Sequence, residues 1–198
     1  PDILVVDLNG ALDEGKNNRK IVKELAQKYY VHNGGGLRTI EDIQNVLKSS
    51  ARRIVLSSVN DELIKIVPKD RLIVELSVNG DNEVLIHGRK TNTHVSIFKR
   101  LDDMASYGVE AISITFHNTE GHMNGIPRKQ FHEIMTEMPN SIQKVIIAGG
   151  ISTIDDLEFL WSYGKTIPQL GSAVWTKQIS IGELYNAMAR FDGEGKVP

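Results

Sequence analysis

Two glycine pairs sit at matched places in two stretches of closely similar pattern. Gly35-Gly36-Leu37-Arg38-Thr39-Ile40-Glu41-Asp42-Ile43 recurs as Gly149-Gly150-Ile151-Ser152-Thr153-Ile154-Asp155-Asp156-Leu157, an offset of 114 residues (149 minus 35). Without a gap, that offset also lays Leu56-Ser57-Ser58-Val59 on Leu170-Gly171-Ser172-Ala173. Helical periodicity alone does not reproduce matched glycines and a matched serine over two separate segments. Glycine takes positive φ at little cost and lets an anion come close to backbone N–H groups. Thr39 with Asp42, and Thr153 with Asp156, have the spacing that caps a helix start, where free N–H donors and the positive dipole end attract phosphate. Each repeat therefore reads as half of a phosphate cradle. Gly35, Gly36, Ser57 and Ser58 build one half; Gly149, Gly150, Ser152, Gly171 and Ser172 build the other. Arg38 adds a bidentate fork to the first. Two halves predict a small ligand with a phosphate at each end. In the competing reading, the glycines only turn the chain from strand to helix.

Such loops need strands to carry them. Runs that are apolar nearly throughout, as strands buried on both faces are, cover Ile3–Leu8, Tyr29–Asn33, Arg53–Ser57, Leu72–Ser77, Ala111–Phe116, Lys144–Ala148 and Pro168–Leu170. Between them lie helical stripes: Ile21, Leu25 and Ala26; Ile40, Ile43, Val46 and Leu47; Ile97, Leu101, Met104 and Ala105; Leu157, Leu160 and Trp161. Strand–helix alternation of this kind predicts a parallel β/α architecture in one domain, residues 1–198. The polar turn Asn79–Glu83, followed by Val84-Leu85-Ile86-His87, predicts a small hairpin or an ordered loop. Two equivalent loops facing each other across one mouth suit a closed barrel, whereas a doubly wound open sheet places its ligand at a single switch point.

Composition narrows the function. Among 198 residues, 23 Lys and Arg face 25 Asp and Glu, so no basic excess favours nucleic acid. Cysteine is absent, which excludes a disulfide scaffold, a thiolate zinc site and a Cys nucleophile. The six histidines show no ligand spacing, and no metal site is expected. No apolar run is long enough to span a bilayer, and the strand-like start lacks the basic region of a signal peptide, so a cytoplasmic protein is expected. Arg19, Lys20 and Lys23, and the pair Arg52–Arg53, read as solvated surface charge. Trp161 reads as core, and Trp175 as bordering the mouth.

The segments Leu4-Val5-Val6-Asp7-Leu8-Asn9-Gly10-Ala11, Gly34-Gly35-Gly36-Leu37-Arg38, Ala148-Gly149-Gly150-Ile151-Ser152 and Gly171-Ser172-Ala173-Val174 carry a resemblance, and Thr115 through Gly125 extends it. The chain resembles the HisA/HisF group of histidine-biosynthesis barrels, and HisA, the phosphoribosylformimino-5-aminoimidazole carboxamide ribotide isomerases, most specifically. The resemblance implies a (βα)8 TIM-type barrel with internal twofold repeat and a bisphosphorylated substrate. The implied reaction is an Amadori rearrangement, without metal or organic cofactor. That chemistry needs an acid to open a ribose ring and a base to take the C2 proton.

Departures from the family pattern give further expectations. The chain matches strands two to eight, so the first βα unit, which carries the family's catalytic Asp base, is expected to be absent, leaving edges that another segment or chain would cover. Ser77 stands where the family carries its catalytic Asp acid, which leaves a degenerate phosphoribosyl-ligand-binding barrel as the alternative function. Glu75 lies on the same face one pleat deeper, and desolvation suits a carboxylate to general acid work. Thr115 aligns with the family's active-site threonine, and Asp7 is retained. Glu120 replaces the Asp of a D-G-T triplet that here reads Glu120-Gly121-His122. Arg89 stands where Trp is common. His122 and His117 lie in a loop that reaches a ligand or is merely solvated.

Overall fold

A computed structural model describes residues 2–12, 18–57 and 61–193. The first half runs β1 (Ile3–Val6), α1 (Leu8–Leu12), α2 (Arg19–Ala26), β2 (Val31–Gly34), α3 (Ile40–Leu47), β3 (Arg53–Ser57) and α4 (Asp61–Ile66). Then follow β4 (Leu72–Val78), β5 (Glu83–Ile86), β6 (Thr91–Ser96), α5 (Ile97–Ser106), β7 (Ala111–Phe116), α6 (Arg128–Thr136) and β8 (Lys144–Ala148). The chain continues through α7 (Ile154–Trp161), β9 (Thr166–Pro168), α8 (Ser172–Trp175) and α9 (Ile181–Gly193).

Seven strands pair side by side in the order β1-β2-β3-β4-β7-β8-β9, all parallel, in a curled sheet of the kind found in TIM-type barrels. Their carboxyl ends therefore share one rim. β5 and β6 form the expected hairpin, antiparallel and hung from the end of β4. Registered neighbours share a face. One face carries Ile54, Leu72, Val74, Leu76, Ile112, Ile114, Val145 and Ile147, all buried against helix residues such as Ile64, Leu101, Met104, Phe131 and Leu157. The other face carries Ser57, Glu75, Ser113 and Ile146 in one row, then Ser77, Thr115 and Ala148 in the next. The first face is apolar on the central strands, with Asn33 and Thr166 its buried polar members on β2 and β9, and the other face turns polar toward the rim.

The repeat survives as strand register. β2 pairs β3 through His32↔Arg53 and Asn33↔Ile54, and β8 pairs β9 through Ile146↔Ile167 and Ile147↔Pro168, the same positions moved by 114. This register places the last strand at Thr166–Pro168, two residues before the expected start at Pro168, because the fold copies the first unit's pairing. Two stripes also need correction. Ile21 and Ile40 are exposed, and α2 buries Val22 and Ala26 instead. The adjacent apolar pair Ile21-Val22 offers two faces, and packing on β2 selects the second.

Phe131 of α6 is fully buried and meets Phe116, Phe159 and Tyr163 edge to face, with ring centroids 6.5, 5.5 and 4.8 Å away. It fixes α6 and α7 on the sheet. Phe131→Ala is expected to cost about 3–5 kcal/mol in chemical denaturation, from lost burial and the cavity left behind.

Candidate active site

Both glycine loops are shaped by a close approach. Gly36 and Gly150 have φ of +69° and +85°. A Cβ on Gly36 would meet the carbonyl carbon of Gly10 at 2.6 Å, and one on Gly150 the carbonyl oxygen of Gly125 at 2.3 Å. In each half, the loop from the neighbouring strand lies directly on the second glycine. Steric fit thus requires these glycines, as the turn-only reading held. The geometry also does more. Among the described residues, the amides of Gly35, Gly36, Gly149 and Gly150 donate to no protein acceptor. Consecutive unpaired amides at positive φ form a concavity that suits an anion.

The helix starts behave differently from the sequence expectation. Thr39 and Asp42 form a full capping box, as do Thr153 and Asp156. Asp42 Oδ2 accepts the amides of Arg38 and Thr39, both at 3.0 Å. Asp156 Oδ2 accepts those of Ser152 and Thr153 at 3.0 and 3.1 Å. These four donors are consumed internally, so among the described residues the amides left open in each loop are those of the glycine pair and the residue after it, Leu37 or Ile151. The Arg38 guanidinium reaches the carbonyls of Gly10 and Ala11 at 2.7 and 2.6 Å, whereas Ser152 is buried and its hydroxyl donates to Asp156 at 3.2 Å. Ser57 ends β3 on the polar face, beside Glu75 in register. Gly171 and Ser172 open α8. Ser58 lies outside the described residues.

Between the two loops, in strand order, lie β4 and β7 with the polar rows. Ser77 is buried and donates to Glu75 Oε1 at 2.7 Å, so the two do share a face. Arg89, at the hairpin turn with φ of +70°, donates from Nε to Ser77 Oγ at 3.0 Å and forms an ion pair with Glu120. Thr115 is buried beside Ser77 in register. The structure therefore brings Glu75, Ser77, Thr115, Arg89 and Glu120 together, with His122 exposed on the same loop as Glu120. Arg89 was legible only as a departure in type, because a hairpin must fold back to deliver it. Asp7 is buried at the β1 rim. Its carboxylate accepts from Gly10 N at 3.1 Å, Asn18 N at 2.6 Å and Asn18 Nδ2 at 2.8 Å, and so ties its own loop together.

Three aspartates hold this rim. Burial by itself raises the carboxyls of Asp7, Asp42 and Asp156, but the amides and hydroxyls donated to them bring each below the ordinary value. The unfolded chain therefore takes up these protons first on acidification, so the stabilisation is complete above the ordinary carboxylate pKa and is lost as pH falls through the lowered values. Urea midpoints are expected to drop between about pH 5 and pH 3, and Asp156→Asn should flatten part of that fall.

Comparison with known proteins follows this geometry. A family described as "Histidine biosynthesis protein" matches residues 1–180. A relative in Methanosphaera stadtmanae is 30% identical over 186 residues, covering 89% of this chain and 76% of its own length. One in Methanococcus maripaludis (strain C7) is 30% identical over 196 residues, covering 93% and 79%. A third, in Alteromonas mediterranea, is 28% identical over 169 residues, covering 79% and 68%. All three are named 1-(5-phosphoribosyl)-5-((5-phosphoribosylamino)methylideneamino) imidazole-4-carboxamide isomerase. With two unpaired glycine loops flanking one polar row, and a family match over nearly its whole length, the chain belongs to the histidine biosynthesis protein family.

Proposed function

We propose that this chain acts as an aldose–ketose isomerase of histidine biosynthesis, in the cytoplasm, on a bis-phosphoribosyl aminoimidazole carboxamide. One observation carries the proposal: two polar rows, Glu75 with Ser113 and Ser77 with Thr115, lie in strand order between two equivalent loops whose glycine amides have no acceptor among the described residues. The names of the relatives support turnover over the alternative of a degenerate binding barrel.

The substrate's two phosphates rest on Gly35, Gly36, Ser57 and Ser58 at one end and on Gly149, Gly150, Gly171 and Ser172 at the other. Arg38 and Ser152 brace those loops. Glu75 gives its proton to the ribose ring oxygen as the ring C1–O bond breaks, with Ser77 fixing the carboxyl's orientation. Loss of the C2 proton to a base then gives the enol form, which tautomerises to the aminoketose. Thr115 holds a sugar hydroxyl, Asp7 keeps the neighbouring loop in place, and Glu120 with His122 borders the opening. No metal or organic cofactor enters this reading.

In the same reading, residues 1–198 supply strands two to eight of a single (βα)8 domain. β1 and β9 each show an unpaired edge among the described residues, and exposed Ile3, Val6 and Ile167 lie along those edges. A βα unit from a segment or chain outside residues 1–198 fits between them and brings the base.

An isomerase assay on the full-length protein tests the proposal. Turnover is expected, and Glu75→Gln should lower kcat about 10²-fold or more with little change in KM. Full activity in Glu75→Gln removes Glu75 as the acid. If calorimetry detects no affinity for a bisphosphorylated ligand, the two-loop reading fails.

A further inference from the structure

The two capping aspartates share one more partner. Asp42 turns its second oxygen, Oδ1, to Arg19, and Asp156 turns its Oδ1 to Arg128, 3.6 Å away. Arg19 is the first residue of α2 and Arg128 the first of α6. Each helix precedes, by one strand, the helix that carries the aspartate. The two arginines are 109 residues apart (128 minus 19), not 114, because the stretch from arginine to glycine pair is five residues longer in the second half. A gap-free repeat therefore misses them, and Arg19 looks like one more surface cation beside Lys20 and Lys23.

Position argues against chance. A cation at a helix start opposes the dipole there, and neither α2 nor α6 has an acidic residue in its first turn or a side-chain cap at its start. The chain makes this unfavourable local choice twice, at equivalent places. Breaks of a local rule that recur in this way point to a requirement elsewhere in the fold.

The requirement is electrostatic. Each aspartate sits close to its glycine pair, accepting from the amides of the second and third residues after it. A bare carboxylate there would repel an arriving phosphate dianion. We infer that Arg19 and Arg128 are positioning residues for ligand phosphate: each neutralises the aspartate behind a glycine loop and so sets that loop's affinity for an anion. This inference rests on the two-phosphate reading above. Each arginine also serves a further carboxylate: Arg128 pairs with Asp155, and the charge of Arg19 lowers the Asp7 carboxyl as well.

The test uses full-length protein titrated calorimetrically with ribose 5-phosphate, with thermal melts to confirm folding. Arg19→Met and Arg128→Met are each expected to weaken binding about tenfold, the scale of a partly exposed charge-assisted pair. Arg19→Lys should recover most of the loss. The deciding variant is Arg19→Met with Asp42→Asn, which removes both charges and should bind within about threefold of the unaltered protein. A merely structural arginine predicts the opposite, a double variant no better than Arg19→Met, and that result overturns the inference. Unchanged affinity in both single variants also overturns it while leaving the two-phosphate reading intact. If the unaltered protein itself does not bind ribose 5-phosphate, both fall together.

Discussion

Everything at the rim depends on backbone lying against backbone without a side chain between. At Gly36 and Gly150 the neighbouring loop approaches so closely that even a methyl group would collide with main-chain atoms. That approach fixes the path of the chain leaving each strand and holds consecutive glycine amides in the left-handed region. It also leaves those amides without acceptors among the described residues. A polar group deprived of a partner is costly when buried; Gly35, Gly36 and Gly149 stay partly exposed, and such amides suit an anion. The capping aspartates then take the amides of Arg38 and Thr39 on one side and of Ser152 and Thr153 on the other, which holds each loop's exit in one geometry.

The parallel sheet is what makes two such loops cooperate. Parallel strands deliver all their carboxyl ends to one rim, and the repeated register puts the loops after β2 and β8 at equivalent heights. The strands between them, β4 and β7, alternate apolar residues toward the helices with Glu75, Ser77, Ser113 and Thr115 toward the interior. The polar side chains and the glycine loops therefore come from different elements, so residues on the central strands can change without disturbing the loops at either side.

Much of this was written locally in the sequence. Arg53–Ser57, Ala111–Phe116 and Lys144–Ala148 form strands over the residues that their nearly continuous apolar character predicts, most completely in β7, where every residue is buried. The capping boxes were legible too, since their partners are three residues apart. The hidden contacts were those that join distant segments. Arg19 meets Asp42 only after β2 has been laid beside β1, and Arg89 meets Ser77 only after the hairpin folds back over the rim. Ile21 misled for a simpler reason: it is as apolar as Val22, and only packing decides which of the two faces inward.

The matched positions 38 and 152 have a consequence of their own. One side chain reaches outward to the carbonyls of Gly10 and Ala11; the other folds inward onto Asp156. The main chain around the mouth is close to a palindrome, and a ligand with similar groups at its two ends could lie on it in either direction. These unlike side chains make the palindrome readable in only one sense. Under the proposed isomerisation, which is chemically lopsided on a nearly symmetric molecule, that heading would decide which sugar faces Glu75.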